Sequence, residues 1–103
     1  MAEVIWMPGA LKDIDAVAAY IALDSSFRAG QQVLRILSAE ILIERYPGAG
    51  RMVPEFQQKE LREVIIPPYR IIYHFDRCLD RASILAVIHS KQKIKPTAIL
   101  GET

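Results

Sequence analysis

Two prolines in tandem, Pro67-Pro68, stand between two runs of strand-forming residues, Leu61-Arg62-Glu63-Val64-Ile65 and Tyr69-Arg70-Ile71-Ile72-Tyr73. Proline has a preset φ and no backbone N–H, so the pair cannot extend a strand and reads as a tight turn. The two runs are therefore expected to fold back on each other as a β-hairpin. A rigid sheet then carries Arg62 and Arg70. A third run follows, in which Ser83-Ile84-Leu85-Ala86-Val87-Ile88 is β-branched and apolar on both faces. It is expected to be the central, most buried strand. The three strands are placed at 60–66, 69–76 and 82–89, with Arg77-Cys78-Leu79-Asp80-Arg81 as the second turn.

The first half of the chain has a different period. Glu3-Val4-Ile5-Trp6-Met7 is a short β-prone run suited to an edge. Pro8 then stands where a helix can begin without losing a hydrogen bond. Leu11, Ile14, Ala18 and Ile21 recur at spacings of three and four, with Val17 beside them, which predicts a helix from about Pro8 to Leu23. Asp13 and Asp15 fall in its early turns, where the helix dipole favours acids. Asp24-Ser25-Ser26 is a break with a capping serine. Val33, Leu37 and Ile41, widened by Leu34 and Ile36, predict a second helix from about Phe27 to Arg45. Tyr46-Pro47-Gly48 ends it. The short link makes the helices an antiparallel hairpin. Residues 49–54 read as loop. The expected fold is α+β: an N-terminal strand, an antiparallel α-hairpin on one face of an antiparallel sheet, and an open second face. Period-two alternation puts Arg70 and Ile72 on one face and Tyr69, Ile71 and Tyr73 on the other.

A chain of 103 residues suits one domain, taken as 1–103. Its hydrophobic fraction of 51% supports a core and argues against disorder. Net charge is only +1, so bulk charge announces no polyanion binder. The distribution says more. Glu3, Asp13, Asp15, Asp24, Glu40 and Glu44 mark the first half. Arg51, Lys59, Arg62, Arg70, Arg77, Arg81, Lys91, Lys93 and Lys95 mark the second, which can focus a field on one face. Cys78 is alone, so no internal disulfide is expected, and a reducing, cytoplasmic setting fits. No leader-like start and no apolar run of membrane-spanning length is read, so no membrane partner is expected. Two histidines without a spaced set of acids or cysteines make no metal site, and no Gly-rich phosphate loop is present. No metal or cofactor is expected.

Arg70 is the first candidate for chemistry. A guanidinium inside a strand is costly unless it meets water or an anion. It suits phosphate binding or stabilisation of a phosphoryl transition state, and equally an ion pair with Glu55 or Glu63. Arg62 and Glu63 point to opposite faces, and one of them shares the face of Arg70. Arg51 and Glu55 lie in the preceding loop, as functional residues or as a surface pair. His89 ends the last strand with Lys91 two residues on. It can move protons at neutral pH or simply be hydrogen-bonded. His74 has no evident role.

Trp6-x-Pro8, Tyr20-Ile21, Pro47-x-x-Gly50-Arg51, Val53-Pro54-Glu55, Leu61-Arg62-Glu63, Tyr69-Arg70-Ile71-Ile72-Tyr73 and Val87-Ile88-His89-x-Lys91 occur in an order and spacing that resembles the RelE/ParE toxin superfamily, in particular its ParE-like, plasmid-stabilization branch. The resemblance spans nearly the whole chain. It implies the α+β fold read above and a toxin of a type II toxin–antitoxin system. ParE-like members poison DNA gyrase, whereas RelE-like members cut mRNA on the ribosome. Arg70 matches the strand arginine of both branches. No tyrosine follows Tyr73, and only Lys59 answers to the lysines that nuclease members carry before the hairpin. His89-Ser90-Lys91 resembles the ParE-like ending. The resemblance thus implies a gyrase inhibitor neutralised by a cognate antitoxin in a hetero-oligomer. The alternative is a ribosome-dependent endoribonuclease with His89 as acid–base residue and Arg70 and Arg62 on the phosphate. A further alternative is an inactive member that only binds its antitoxin. The expected functional surface is Arg51, Glu55, Arg62, Arg70, His89 and Lys91. Exposed apolar residues of the helices, with Ile99 and Leu100, are the expected antitoxin contacts.

Overall fold

A computed structural model describes residues 1–94. Strand β1 (Glu3–Trp6) leads into helix α1 (Pro8–Ala22), followed by α2 (Ser26–Leu37) and α3 (Ala39–Arg45). Strands β2 (Arg51–Met52), β3 (Leu61–Ile66), β4 (Tyr69–Asp76) and β5 (Arg81–His89) complete the described chain. Ile99 and Leu100, expected as partner contacts, lie outside the described residues. Among the described residues no helix is long and apolar enough to cross a membrane.

The helix boundaries follow from local chemistry. Pro8 opens α1. The Ser25 hydroxyl accepts from the Arg28 backbone N–H at 3.1 Å and caps α2. The expected second helix is broken at Ser38. Its hydroxyl donates to the Arg35 carbonyl, and the Ile41 N–H reaches back three residues to the Ser38 carbonyl. A serine bonded to its own backbone tightens the turn there, which apolar spacing does not register.

The tandem prolines join β3 to β4 as a two-residue connection, with Ile66 paired to Tyr69. The strand order is β1-β5-β4-β3-β2. The meander from β2 to β5 is antiparallel, and β1 adds parallel to β5, so the sheet as a whole is mixed. The central strand is β4, not β5 as its composition suggested. Residues Tyr69 to Tyr73 are buried without a break. The reason is lateral cover: β4 has long strands on both sides, whereas β5 has only the four residues of β1 along half of its outer edge.

Past Trp6, where β1 ends, the outer edge of β5 would carry an unpaired N–H at Val87. Asp13 of α1 supplies the acceptor, its Oδ2 lying 2.9 Å from the Val87 nitrogen. This is the role of Asp13; it lies beyond the first turn of α1, which holds no acid. Burial raises its pKa above the ordinary carboxylate value, and the Val87 N–H offsets part of that rise.

The core is double. Ile14, Ile36 and Ile43 of the helices pack on Ile71, Tyr73, Ile84 and Val87 of the sheet. On the opposite face Val53, Leu61, Ile72, Ala86 and Ile94 form a smaller cluster. The second face was expected to be open. It is instead covered in part by the loop around Val53–Phe56 and by the segment after His89, because Ile72 and Ala86 present apolar surface that must be buried. Residues 49–54 are not wholly loop either: Arg51 and Met52 pair with Glu63 and Arg62. A two-residue strand is too short to leave a period-two signal.

The Asp13 contact is testable. Asp13→Ala leaves a part-buried N–H without a partner and should cost about 1–3 kcal/mol. Asp13→Asn keeps an acceptor oxygen and sheds the desolvated charge, so it should unfold within about 1 kcal/mol of wild type. Urea denaturation of the two variants checks both values.

Candidate functional site

Arg70 and Glu63 are the two buried charged residues among those described, 5% and 1% exposed. Both project to the face away from the helices. Glu63 sits opposite Ile72, so it meets Arg70 diagonally across the β3–β4 ladder. Arg70 Nε and Nη2 each lie 2.7 Å from Glu63 Oε1. Glu55 takes the other side of the guanidinium as a two-pronged pair, 2.9 Å from Nη1 to Oε2 and 2.8 Å from Nη2 to Oε1. Nη1 also donates to the Gln92 carbonyl at 3.3 Å. Every nitrogen of Arg70 thus faces an acceptor from the protein itself.

The network extends outward from this pair. Arg51 Nε donates to Glu63 Oε2, which joins β2 to β3 through side chains as well as backbone. Glu55 Oε2 also accepts from the Ile94 N–H at 3.4 Å. Two arginines and two glutamates therefore bind four separate segments together: β2, the loop after it, the β3–β4 hairpin and the segment after β5. Hydrogen bonds from Arg70 hold the Glu55 carboxyl down at about 2, and Arg70 is itself pushed above its ordinary value, first by Glu55 and also by Glu63. Both shifts favour the ionised pair. A recess of about 380 Å³ opens beside the network, walled by Arg51, Ile65, Lys91 and Lys93.

Of the six expected surface residues, Arg51, Glu55, Arg70 and Lys91 gather around this recess. Arg62 and His89 do not. Arg62 lies on the helix side of the sheet, where Nε donates to the Lys59 carbonyl at 2.7 Å and Nη1 to the Gly50 carbonyl at 3.1 Å. His89 is also on that side, its ring edge-on to Tyr69 at 5.9 Å. Arg62 stands opposite Tyr73 and His89 opposite Tyr69. Four residues of strand separate them, about 13 Å. The candidate nuclease set His89, Arg70 and Arg62 is therefore spread over two faces. His89 Nδ1 accepts the Lys91 backbone N–H at 3.2 Å, which assigns the proton of a neutral ring to Nε2.

Sequence reasoning named Glu63 only as one possible partner for Arg70, and it is the centre of the network. The readable signal was the cost of an arginine inside a strand, which demands an acid nearby. Gln92 and Ile94 act through their backbone atoms and leave no such signal. Tyr73 was likewise missed. Its buried hydroxyl donates to the Pro47 carbonyl at 2.6 Å and accepts the Gly50 N–H at 3.2 Å. A Cβ on Gly50 would stand 2.5 Å from that hydroxyl and 2.9 Å from the Glu63 carbonyl, which is why a glycine precedes Arg51.

Removing one member of the buried pair strands the other. Glu63→Gln should lower unfolding free energy by about 3–5 kcal/mol, whereas truncating the exposed Arg51 should cost under about 1 kcal/mol. Glu55 adds a pH dependence. Its folded pKa lies below the ordinary 4.5, so its stabilisation is complete above pH 4.5 and fades as pH falls from there toward about 2. Glu55→Gln should flatten the stability profile in that window and leave its shape above pH 5 unchanged. Urea melts at a series of pH values measure it.

Comparison with known proteins agrees with this architecture. Residues 4–94 match the family described as the ParE toxin of type II toxin-antitoxin system, parDE. The chain is 37% identical over 75 residues to the Toxin RelE2 of Caulobacter vibrioides, covering 72% of this chain and 81% of that one. Its fold is similar to that of a chain in the chromosomal ParDE TA system from P. aeruginosa, with a TM-score of 0.72 at 18% identity, over 88% of this chain and 98% of that one. A more distant likeness, TM-score 0.53 at 14% identity over 86% and 97% of the two chains, is to a chain of the YoeB-YefM toxin-antitoxin complex from Staphylococcus aureus. With its strand, helical hairpin and mixed five-stranded sheet, the chain belongs to the ParE toxin family of the RelE/ParE type II toxin–antitoxin superfamily.

Proposed function

We propose that this toxin acts inside the cell by binding DNA gyrase and holding its cleaved-DNA complex, and that a cognate antitoxin neutralises it. One observation carries the choice of target. The side chains that RNA cleavage would need are not assembled on one surface. The Arg70 guanidinium is held by Glu55 and Glu63, so a phosphate would have to displace two carboxylates to reach it. Arg62 and His89, opposite Tyr73 and Tyr69 of the helix-side core, lie on the other face. Nδ1 of His89 is engaged by its own turn, so a neutral ring offers Nε2 as a donor and not as a base. A poison of a large enzyme needs a complementary surface, and the network ties together the segments that carry Arg51, Lys91 and Lys93 around one recess.

The competing reading is ribosome-dependent mRNA cleavage, favoured by the likeness to a protein named Toxin RelE2. Purified toxin should inhibit supercoiling and trap cleaved DNA in a gyrase assay, with relief on adding antitoxin. His89→Ala should keep its toxicity on induction. Loss of toxicity in a folded His89→Ala variant, with mapped RNA cleavage by wild type, would move the target to the ribosome. Harmless induction of the wild type in a susceptible host would favour the inactive reading.

The antitoxin reading rests on the outer face of the helices. Phe27, Leu34 and Ile41 of α2 and α3 are more than half exposed, as are Tyr20 and Leu23 at the end of α1. An apolar stripe of this kind suits an amphipathic helix laid along the hairpin. Leu34→Asp should weaken antitoxin binding by tenfold or more, on the order of 1.4 kcal/mol, while the toxin's own melting temperature stays within a few degrees. Calorimetric titration against the antitoxin measures the first and a thermal melt the second.

A further inference from the structure

The far end of β4 carries a second cationic feature, apart from the Arg70 network. A cleft of about 550 Å³ lies where β3 begins and β4 ends. Lys59, Arg62, His74 and Arg77 line it, with Glu60 and Asp76 as the acids and Cys78 at the same site. Three cations, Lys59, Arg62 and Arg77, face these two acids. Asp76 Oδ1 is turned into the β4–β5 turn, where it accepts the Leu79 N–H at 3.1 Å. The ion pairs among the described residues are the Arg51, Arg70 and Arg81 contacts, and none includes Lys59 or Arg77. Arg62 is fixed rather than free: its Nε and Nη1 are tied to the Lys59 and Gly50 carbonyls, which leaves Nη2 without such a tie.

We propose that this cleft binds the phosphate backbone of nucleic acid. A fixed arginine with flexible Lys59 and Arg77 around it is the arrangement that neutralises successive phosphates without reading bases. Gly48, Phe75 and Cys78 complete the wall beside the charged side chains, and Lys59 and Arg77, which enter no ion pair among the described residues, are what favour a polyanion over an acidic peptide. The cleft is separate from the Arg70 recess, which sits at the opposite end of β4. The inference stands apart from the gyrase reading, because it concerns nucleic acid bound by the toxin alone.

Cys78 is the one cysteine of the chain, is exposed, and lines the cleft, so it reports occupancy directly. Full-length toxin is titrated into a fluorescein-labelled 20-base-pair DNA duplex at several salt concentrations, and Cys78 alkylation by a maleimide is followed with and without the duplex. Binding should weaken steeply with salt, and the duplex should slow Cys78 alkylation several-fold. The Lys59→Gln, Arg77→Gln pair should weaken binding at least tenfold and make the slope of log affinity against log salt shallower by about 2. The same pair should abolish Cys78 protection, while a thermal melt shows the fold retained. No binding, binding unchanged in the pair, or binding that leaves Cys78 alkylation as fast as before would overturn the proposal. So would stronger protection by poly-glutamate than by DNA, which would mark the cleft as a peptide site.

Discussion

An arginine buried in the central strand sets the terms for one whole face of this protein. Arg70 cannot stay ionised there without acceptors, and it cannot be neutralised by losing its proton. Glu63 meets it across the hairpin and Glu55 meets it from a loop. Once those carboxylates are fixed, other segments follow. Arg51 is drawn to Glu63, and the two residues of β2 align with β3. Glu55 and Arg70 together hold the backbone at Gln92 and Ile94, so the Ile94 side chain closes over Ile72 and Ala86. The smaller core exists because the ion network positions its cover. The dependence also runs the other way, since that cover keeps water from the Arg70–Glu63 pair and strengthens it.

The parts of this architecture that could be read in the sequence are those fixed by local chemistry. Pro67-Pro68 places the hairpin whatever surrounds it. Pro8 and Ser25 place the starts of two helices, and spacings of three and four place their inner faces. Alternation in β4 correctly separates Arg70 from Tyr69, Ile71 and Tyr73. The features that escaped depend on partners distant in the chain. Nothing within Arg51-Met52 says strand; the facing edge of β3 does. Nothing within Ser83–Ile88 says that it lies one place from the centre, because burial on two faces looks the same for any inner strand. The tightening at Ser38 is local, but it arises from a hydroxyl, and a reading of apolar spacing passes over it.

The candidate site divides in the same way. Arg51, Glu55, Arg70 and Lys91 were legible because loop and strand charges beside a rigid hairpin are exceptional. Arg62 and His89 looked equivalent to them in sequence and are not equivalent in space. The parity of each strand decides this. Arg62 and Glu63 are neighbours in the chain, yet one pins Gly50 and Lys59 on the helix side and the other anchors Arg70 on the far side. Parity could be counted along β3 from the turn, but it could not be carried reliably into β5. A bulge between the partners of Ile72 and Tyr73 shifts that register by one residue. The face of His89 depends on that shift.

The same parity bears on the choice between a catalyst and a poison. A strand arginine is a versatile part: open to solvent, it can hold a phosphate, and paired with acids, it becomes a rivet. In this chain two carboxylates already occupy the positions that phosphate oxygens would take around Arg70. Cleavage at that point would have to begin by breaking a buried ion pair, a cost of several kcal/mol that adds to the barrier it should lower. A surface that works by shape has no such cost. The rivet still orders this face: Arg51 is bonded to Glu63, and the backbone at Gln92 and Ile94 is held by Arg70 and Glu55, which fixes where the recess between them lies.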